Sequence, residues 1–370
     1  MPITVKDIAR RAGVSHPTVS RALRDDPRVT PDTTARIKHI AAELGYVPSA
    51  AARSLKTNRT RVIGILVNRI SDPFYSRVLD GIQDTLAAAG YSIFLSAANN
   101  EVTDPENATV RAIIEHRVEG LIVCSMFVSA AHYARLTAPH RPLVIAHNLA
   151  PDDTPYTIYH DDHFGSSQLT QHLIELSHTQ IAFVGNTRKG RETRDRLEGF
   201  CETMQRADLQ IPLEYIAYDS PDAPLATSQA VRGLMQLPSP PTALICYNDA
   251  MAIGTMETLR QMGLEVPRDC SVVGFDNISF SAYVHPLLTT FDQPKYELGR
   301  VAAEMMLQQL DVSRAETIAR DDSRITLRGS LLVRESTAPR MSLRGTKQSH
   351  TRVDSRLRRL SSSHRPTRSQ

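Results

Sequence analysis

The chain has 370 residues, 41% hydrophobic and 22% charged, which excludes a chain disordered throughout and predicts two or three globular domains. The formal net charge is +3, but the charges are distributed unevenly along the chain. Residues 1–61 carry twelve Lys/Arg and five Asp/Glu (+7), and residues 340–370 carry nine Lys/Arg and one Asp (+8). Residues 62–339 therefore have a net charge of −12. A basic N-terminal segment followed by an acidic central region predicts that the N-terminal segment binds a polyanion.

Cysteine spacing and hydropathy set further limits. The four cysteines lie far apart, and no pair has the two-residue spacing of a zinc knuckle or redox dithiol, which favours free thiols in a reducing compartment. The first residues enter a charged amphipathic helix directly, and no apolar run approaches the ~18 residues of a membrane span. The sequence therefore predicts a cytoplasmic protein with no metal ion and no cofactor.

Residues 1–48 predict three short helices around one small core. Thr4 is placed to cap a first helix that ends at Gly13. Ser15 caps a second helix that runs to about Leu23, and a third helix closes at Gly45. Two helices joined by a turn with glycine are typical of a helix-turn-helix.

In a helix-turn-helix, the first residues of the second helix enter the major groove. Arg21 is the candidate for a bidentate guanine contact, His16 can donate or accept, and Pro17 offers van der Waals contact to a thymine methyl. The other predicted DNA-binding residues, of which the last three are expected on phosphates, are Thr4, Ser15, Thr18 and Ser20. The alternative is a small helical bundle with a solvated basic face.

Residues 49–61 predict a hinge helix and linker. The segment has a Pro-Ser start, a helix-forming middle and a leucine, Leu55, that has no core of its own to bury. Such a helix makes sense if it forms on DNA, with Leu55 wedged between base steps in the minor groove and Arg53 and Lys56 beside the backbone.

From residue 62 to residue 339, short β-branched runs alternate with amphipathic helical stretches, which is typical of parallel βαβ units. The predicted strands are Val62 to Val67, Tyr91 to Ser96, Leu121 to Cys124, Leu143 to Ala146, Ile181 to Val184, Tyr215 to Ala217, Ala243 to Cys246 and Ser271 to Gly274. The predicted helices are Phe74 to Ala89, Pro105 to Glu115, Phe164 to Leu176, Arg194 to Ala207, Asp249 to Met262 and Tyr296 to Leu310. The fold class is α/β: an all-α head followed by two doubly wound parallel subdomains, with the chain crossing between them near residues 156–162.

Ligands of such sheets bind beyond the carboxyl ends of the strands, where this sequence is polar and aromatic. Arg196 opposite a carboxylate such as Asp276 could clamp sugar hydroxyls, with Phe74 or Tyr247 stacked on the apolar face of the sugar. Asp249, at a predicted helix start, is interpreted as a cap.

Both halves of the chain resemble one known family. The first set of motifs comprises VKDIARRAGVS at residues 5–15, TVSRAL at 18–23, LGYVP at 44–48 and ARSLK at 52–56. The second set comprises DPFY at 72–75, DDHFG at 161–165, IAFVG at 181–185, RLEGF at 196–200, NDAMAIG at 248–254 and VGFDN at 273–277. Together these resemble the LacI/GalR family of bacterial transcription regulators, whose effector domain is similar to type I periplasmic binding proteins.

The resemblance implies major-groove reading by His16, Pro17 and Arg21, and a hinge helix that inserts Leu55. It carries the family's effector contacts to the following residues: Phe74, Asp161, Arg196, Asn248 and Asp276. Pro17 departs from the polar residue common at its position, and Ser177-His178 departs from a Gly-His pair.

The sequence therefore predicts a repressor that binds a near-palindromic operator as a homodimer, under control of a small effector, with a carbohydrate favoured. The alternatives are a sugar-binding protein of transport or chemotaxis, or an enzyme on the same fold. The loop at residues 185–192 imitates a phosphate loop, but Arg191-Glu192 stands where Lys-Ser/Thr is required, which argues against nucleotide hydrolysis.

Residues 340–370 are rich in Ser and Arg and poor in apolar side chains, which predicts a disordered basic tail. Its basicity could add DNA affinity that is independent of sequence, or the tail could be a dispensable extension. The identity of the effector, the sign of its action, the operator sequence and any assembly beyond a dimer are left open by the sequence.

Overall fold

A computed structural model of the protein describes residues 3–46, 59–97, 118–124, 141–146, 156–187, 190–220, 228–311 and 324–340. These ranges contain the predicted head helices and all eight predicted strands. Three predictions lie outside the described residues: the hinge helix, the helix from Pro105 to Glu115, and the tail beyond Arg340.

The head consists of three helices, α1 (Val5–Ala12), α2 (His16–Ala22) and α3 (Pro31–Glu43). Ile8, Val19 and Ile37, one from each helix, are fully buried against one another in a single apolar cluster. Gly13 ends α1 with a φ of +65°, a left-handed conformation that glycine adopts without steric cost. Local capping and apolar spacing therefore account for the head.

The N-terminal subdomain is built on a six-stranded parallel sheet with strand order β11-β5-β4-β3-β1-β2. Its strands are β1 (Val62–Val67), β2 (Ser92–Ala97), β3 (Gly120–Cys124), β4 (Leu143–Ile145), β5 (Thr157–His160) and β11 (Arg324–Leu327). Helices α4 (Pro73–Ala88) and α9 (Lys295–Leu310) pack together and contribute to the apolar core beside this sheet.

The C-terminal subdomain has a second six-stranded sheet with strand order β12-β10-β9-β8-β6-β7, in which β12 is antiparallel to β10. Its strands are β6 (Ile181–Asn186), β7 (Ile216–Asp219), β8 (Ala243–Cys246), β9 (Ser271–Asp276), β10 (Thr289–Asp292) and β12 (Ser330–Leu332). Its helices are α5 (Asp162–Glu175), α6 (Arg191–Arg206), α7 (Gln229–Met235) and α8 (Asp249–Gln261). Two apolar clusters hold this sheet to its helices.

The described chain passes between the subdomains three times, whereas the sequence pattern predicted one passage near residues 156–162. It crosses after β5, crosses back between β10 and α9, and crosses again between β11 and β12. The apolar spacing of α9 shows that one face is buried, but it does not say which sheet buries it. The structure packs α9 against α4, a helix of the first subdomain. A Cβ on Gly81 of α4 would lie 2.1 Å from the carbonyl oxygen of Tyr296 in α9, so the backbones of the two helices are in contact.

No helix within the described ranges is long and apolar enough to span a membrane.

Candidate functional site

The first candidate site is the exposed start of α2. Ser15 caps the helix, since its Oγ accepts a hydrogen bond from the backbone N–H of Thr18 at 3.4 Å. The Ser15 and Thr18 hydroxyls also lie 2.8 Å apart. His16 and Pro17 follow in the first turn and are exposed, while Val19 and Ala22 on the opposite face are buried. The buried face fixes the helix, and the predicted base-reading residues face away from the core.

Arg21 stands one turn after Pro17 and is half-exposed. Within the described residues its guanidinium makes no hydrogen bond, so its donors are available to a base edge. Ser20, in contrast, already takes part in a side-chain hydrogen bond, because its carbonyl oxygen accepts from Nε of Arg24 at 2.8 Å. The α2 surface, defined as Ser15, His16, Pro17, Thr18 and Arg21, thus presents the guanidinium donors of Arg21 on a rigid frame.

Thr4 lies at the start of α1. Its backbone N–H and its hydroxyl both donate to Oδ2 of Asp7, at 3.0 and 2.7 Å. These hydrogen bonds lower the pKa of Asp7. The structure therefore gives Thr4 a capping role, which leaves its predicted DNA contact as a prediction. The other predicted DNA-binding residues, Arg53, Leu55 and Lys56, lie outside the described residues.

The second candidate site is the cleft between the carboxyl ends of the two sheets. Phe74 enters it from the start of α4, half-buried, with its ring edge-on to His160 at 5.9 Å and to Tyr75 at 5.3 Å. Burial raises the pKa of Tyr75, and nearby negative charges, including that of Glu192 in the other subdomain, raise it further. Side chains from both subdomains therefore meet in this cleft.

Arg196, on α6, is the centre of the cleft and only 5% exposed. Its Nε donates to Oδ1 of Asp162 at 2.9 Å, its Nη1 donates to the carbonyl oxygen of Tyr247, and its Nη2 lies 3.8 Å from Oδ1 of Asp276. The guanidinium carbon lies 3.8 Å from the ring centroid of Phe275. Burial alone would lower the pKa of Arg196, but the carboxylates outweigh it and raise the pKa above its ordinary value.

The predicted pairing of Arg196 with Asp276 is thus secondary to its pairing with Asp162. Asp162 is 2% exposed and opens α5 directly after Asp161. The sequence pattern alone does not rank the two carboxylates, because Asp276 follows a predicted strand and Asp162 lies in the predicted crossing segment, and both segments were expected at the ligand cleft.

Asp276 ends β9 with a φ of +108°, which is rare for a residue other than glycine and marks local strain. Its Oδ1 accepts from Nε2 of Gln293 at 2.6 Å, and its carbonyl oxygen accepts from Nζ of Lys295. Burial raises its pKa to about 8, against the opposing charge of Arg196. Near neutral pH the carboxyl is therefore able both to donate and to accept hydrogen bonds from a ligand.

Asp161 and Asn248, the remaining predicted effector contacts, both cap helices. Oδ1 of Asp161 accepts from the N–H of Phe164 at 3.0 Å, and its Oδ2 accepts from Nε of Arg328 at 2.8 Å. Oδ1 of Asn248 accepts from the N–H of Met251 at 3.0 Å, which leaves its amide nitrogen for a ligand. Because these hydrogen bonds hold both side chains, Asp161 and Asn248 have fixed positions at the rim of the cleft.

The interpretation of Asp249 as a cap was wrong, because Asn248 caps α8. Asp249 is fully buried: its Oδ1 accepts from the hydroxyl of Thr290, and its Oδ2 accepts from the N–H of Ile278 at 2.8 Å. Burial raises its pKa to about 7. Asp249 therefore ties α8 to the segment after β9 and to β10, behind the strained Asp276.

Sequence reasoning missed two further cleft residues, Gln293 and Glu192, each 3% exposed. Gln293 follows β10, a threonine-rich strand that the apolar pattern did not predict. Glu192 was considered as part of a phosphate loop, yet its charge is among the causes that raise the pKa of Tyr247, after burial. The signal that could have found it is its place in the first turn after β6, where parallel sheets bind ligands.

Within the described ranges, no group of three or more His, Cys, Asp or Glu side chains is arranged to hold a metal ion. All four cysteines are free thiols, with Cys124, Cys246 and Cys270 buried.

Comparisons with known proteins agree in both halves of the chain. Residues 4–49 match the model of bacterial regulatory proteins of the lacI family, and residues 170–337 match a periplasmic binding protein-like domain. The transcriptional repressor PurR of Aliivibrio salmonicida is 34% identical over 309 residues, which cover 83% of this chain and 92% of that protein.

Two solved structures extend the comparison. A lac repressor dimer bound to its operator and the anti-inducer ONPF has a TM-score of 0.79 and 26% identity, covering 91% of this chain and all of that one. A complex of the transcriptional regulator CelR with cellobiose has a TM-score of 0.66 and 26% identity, covering 90% of this chain and 99% of that one. The predicted fold class and the resemblance are confirmed, and a transport protein on the same fold is not favoured.

Proposed function

The chain belongs to the lacI family of bacterial regulatory proteins and is a DNA-binding transcription regulator; from that premise we propose that it is a homodimeric repressor whose operator affinity is set by a polyhydroxylated effector in the cleft. The observation that carries the proposal is the Arg196 cluster of the C-terminal subdomain, in which one guanidinium contacts Asp162 and Asp276. A ligand bound between this cluster and Phe74 of the N-terminal subdomain touches both subdomains and so depends on the angle between them.

The DNA-binding half of the proposal is supported by the α2 surface. Because Val19 and Ala22 are buried, the outward direction of His16, Pro17 and Arg21 is fixed before DNA is met. We assign base reading to these three residues and phosphate contacts to Ser15, Thr18 and Ser20. A dimer, as in the operator-bound lac repressor, places two such surfaces on a two-fold axis and so favours a near-palindromic operator.

The effector class is supported by the chemistry of the cleft. Asp276 and Asn248 offer acceptors and donors, the Arg196 guanidinium offers donors, and Phe74 offers an aromatic face. A sugar presents this combination, with hydroxyls at its edge and an apolar C–H face. The CelR structure, which holds cellobiose, is a related protein with such a ligand.

Helix α4 supports coupling between the two sites. It begins at the cleft with Phe74 and ends beside the point where the chain from the head enters β1, since Nη1 of Arg61 lies 3.4 Å from the carbonyl oxygen of Ala89. Its sixteen residues make a rigid rod of about 24 Å. An effector that holds Phe74 differently in two subdomain angles therefore shifts Arg61 and the hinge that precedes it.

The dimer is supported by exposed aromatic side chains on the C-terminal subdomain. Phe280 and Tyr283 are 58% and 77% exposed, an unusual fraction for large apolar groups on one short turn, Ser279–Ala282 and the residue after it. We assign this turn to the dimer surface. Since the proposed partner is operator DNA, we place the repressor in the cytoplasm.

We assign the cleft to binding and not to turnover, in keeping with the repressor that this chain resembles. Incubation of the purified protein with any ligand that stabilises it, followed by product analysis, tests this assignment. A released product would contradict it.

The experiment that tests the function has two stages. Selection of random duplexes on the full chain should yield a near-palindromic sequence, and a panel of sugars, sugar acids and purines should then be screened by thermal unfolding. A ligand at ~100 Kd raises the unfolding free energy by about 2.7 kcal/mol. That ligand should change operator affinity in the wild type and not in Arg196→Ala; a stabilising ligand with no effect on operator affinity would refute the proposal.

A further inference from the structure

One of the three passages of the chain between the subdomains contains a buried glutamine, Gln293. Strand β10 ends at Asp292 and α9 begins at Lys295, so only Gln293 and Pro294 lie between a strand of the C-terminal sheet and a helix packed in the N-terminal subdomain. Gln293 is 3% exposed. A change in the position of this short segment therefore moves α9 relative to the C-terminal sheet.

Two contacts join this segment to Asp276, a predicted effector contact. Nε2 of Gln293 donates to Oδ1 of Asp276 at 2.6 Å. Nζ of Lys295 donates to the carbonyl oxygen of Asp276 and, at 3.1 Å, to the carbonyl oxygen of Gln293. Asp276 and Asn277 both have positive φ, +108° and +50°, a backbone arrangement that persists where surrounding contacts hold it. The crossing segment is thus bonded to Asp276 through a side chain and through the backbone.

The other end of the Gln293 amide lacks a donor. Its Oε1 is buried and accepts no hydrogen bond within the described residues, which is unfavourable for a carbonyl oxygen. A half-turn of the amide exchanges Nε2 and Oε1. When Asp276 is ionised, its Oδ1 accepts from Nε2; when Asp276 holds a proton taken from solvent, its O–H can instead donate to Oε1. The amide therefore has two arrangements, one for each protonation state of Asp276.

Charged and titratable groups from every neighbouring element surround Asp276. Its acidic neighbours are Asp72 before α4, Asp162 of α5, Tyr247 after β8, Asp249 of α8 and Asp292 of β10. Two cations, Arg196 of α6 at 3.8 Å and Lys295 of α9, favour the carboxylate. Burial opposes these cations and raises the pKa of Asp276 to about 8. Both protonation states are therefore populated between about pH 7 and pH 9.

We propose that Gln293 is a positioning residue that couples the proton of Asp276 to the angle between the subdomains, so that operator affinity responds to pH. Gain or loss of the proton reverses the amide, and the crossing segment and α9 follow it. A proton that binds the two subdomain angles unequally shifts the balance between them, as a small effector does. The inference rests on the proposed function, in which the subdomain angle sets operator affinity, and it adds the proton as a second regulator of the cleft.

The test is a pH series of operator affinity with the full chain and no effector. The operator is the duplex obtained by selection, and its affinity is measured from about pH 6 to pH 9 at constant salt. The informative variants are Gln293→Met, which has a side chain of similar volume without the amide, and Asp276→Asn, which does not titrate. The matched control is Gln309→Met on the same helix, since Nε2 of Gln309 donates to the carbonyl oxygen of Leu143 at 3.2 Å and not to a titrating group.

The operator affinity of the wild type and of Gln309→Met should change by about tenfold over this range, which corresponds to a difference of about one unit in the pKa of Asp276 between the two subdomain angles. Gln293→Met and Asp276→Asn should both lose this change, so that their two pH profiles have the same shape. A full response in Asp276→Asn would assign it to another group, such as Asp249, and a full response in Gln293→Met would remove Gln293 from the coupling. Either result would overturn the proposal.

Denaturant titration at both ends of the pH range checks that each variant is folded. If the thioether of Gln293→Met prevents folding, Gln293→Asn replaces it, because its shorter side chain holds the amide back from Asp276. The asparagine variant should lose the response equally, and its retention there would also overturn the proposal. Failure of the wild type to select any duplex would refute the proposed function itself, whereas pH-independent binding of a selected operator would overturn this inference alone.

Discussion

The α2 surface and the Arg196 cluster differ in what their functional side chains do in the absence of a ligand. His16, Pro17 and Arg21 are exposed or half-exposed, and Arg21 makes no hydrogen bond within the described residues. Arg196, Asp162 and Asp276 are buried and bound to one another. At the base-reading positions of the head, function is separate from stability, whereas in the cleft the same groups supply both. Substitutions of His16, Pro17 or Arg21 should therefore affect binding alone, and substitutions in the cleft should affect binding and folding together.

The largest expected effect is that of Arg196→Ala. Removal of the guanidinium leaves Asp162, 2% exposed, as a buried carboxylate without its cation, which costs about 3–5 kcal/mol of unfolding free energy. Denaturant titration measures the loss, and Arg196→Lys, which retains the charge but not the planar contact with Phe275, should lose less. A change below about 1 kcal/mol would show that the cleft is not a structural centre.

Asp276→Asn should alter the pH dependence of stability. Burial raises the pKa of Asp276 from 3.8 to about 8, so the native state holds a proton that the unfolded state has released, and stability falls as pH rises through this interval. The contribution of one such carboxyl is about 1.4 kcal/mol for each pH unit. Asparagine keeps the hydrogen bond from Gln293 and tolerates the positive φ, so the variant should show a flatter profile between about pH 5 and pH 7. Parallel profiles for the two proteins would contradict the assignment.

Arg21→Ala should reduce operator affinity by about 1–3 kcal/mol and relax preference at one base pair of each half-site. Its unfolding free energy should change by less than about 0.5 kcal/mol, because the side chain makes no hydrogen bond within the described residues. Binding is measured on operators substituted at each position. A uniform loss on every sequence would assign Arg21 to a phosphate.

Ser15 provides the smallest and sharpest comparison. Ser15→Ala removes the cap of α2 and should cost about 1 kcal/mol of stability. Ser15→Asp restores a cap but places a negative charge beside the DNA backbone, so it should recover stability while weakening binding to every duplex. Recovery of DNA binding by the aspartate would show that Ser15 does not face phosphate.

The head was predictable because its structure depends on neighbours in sequence. The cap at Ser15, the end of α1 at Gly13 and the apolar spacing of Ile8, Val19 and Ile37 are all local signals, and each lies where the pattern placed it. The strands β1 and β8 were likewise predicted over the ranges that the structure shows. A parallel strand that is buried on both faces has a continuous apolar run, which is a clear signal in the sequence.

The class of the protein, the three head helices and the side chains at the strand ends could all be read from the amino-acid pattern. Three features appear only in the folded chain: Arg196 pairs first with Asp162, thirty-four positions away, Asp249 is buried and bonded to Thr290, and α9 returns to the first sheet. The physical reason is that periodicity shows which face of an element is buried, whereas the partner that buries it is fixed by contacts between distant parts of the chain.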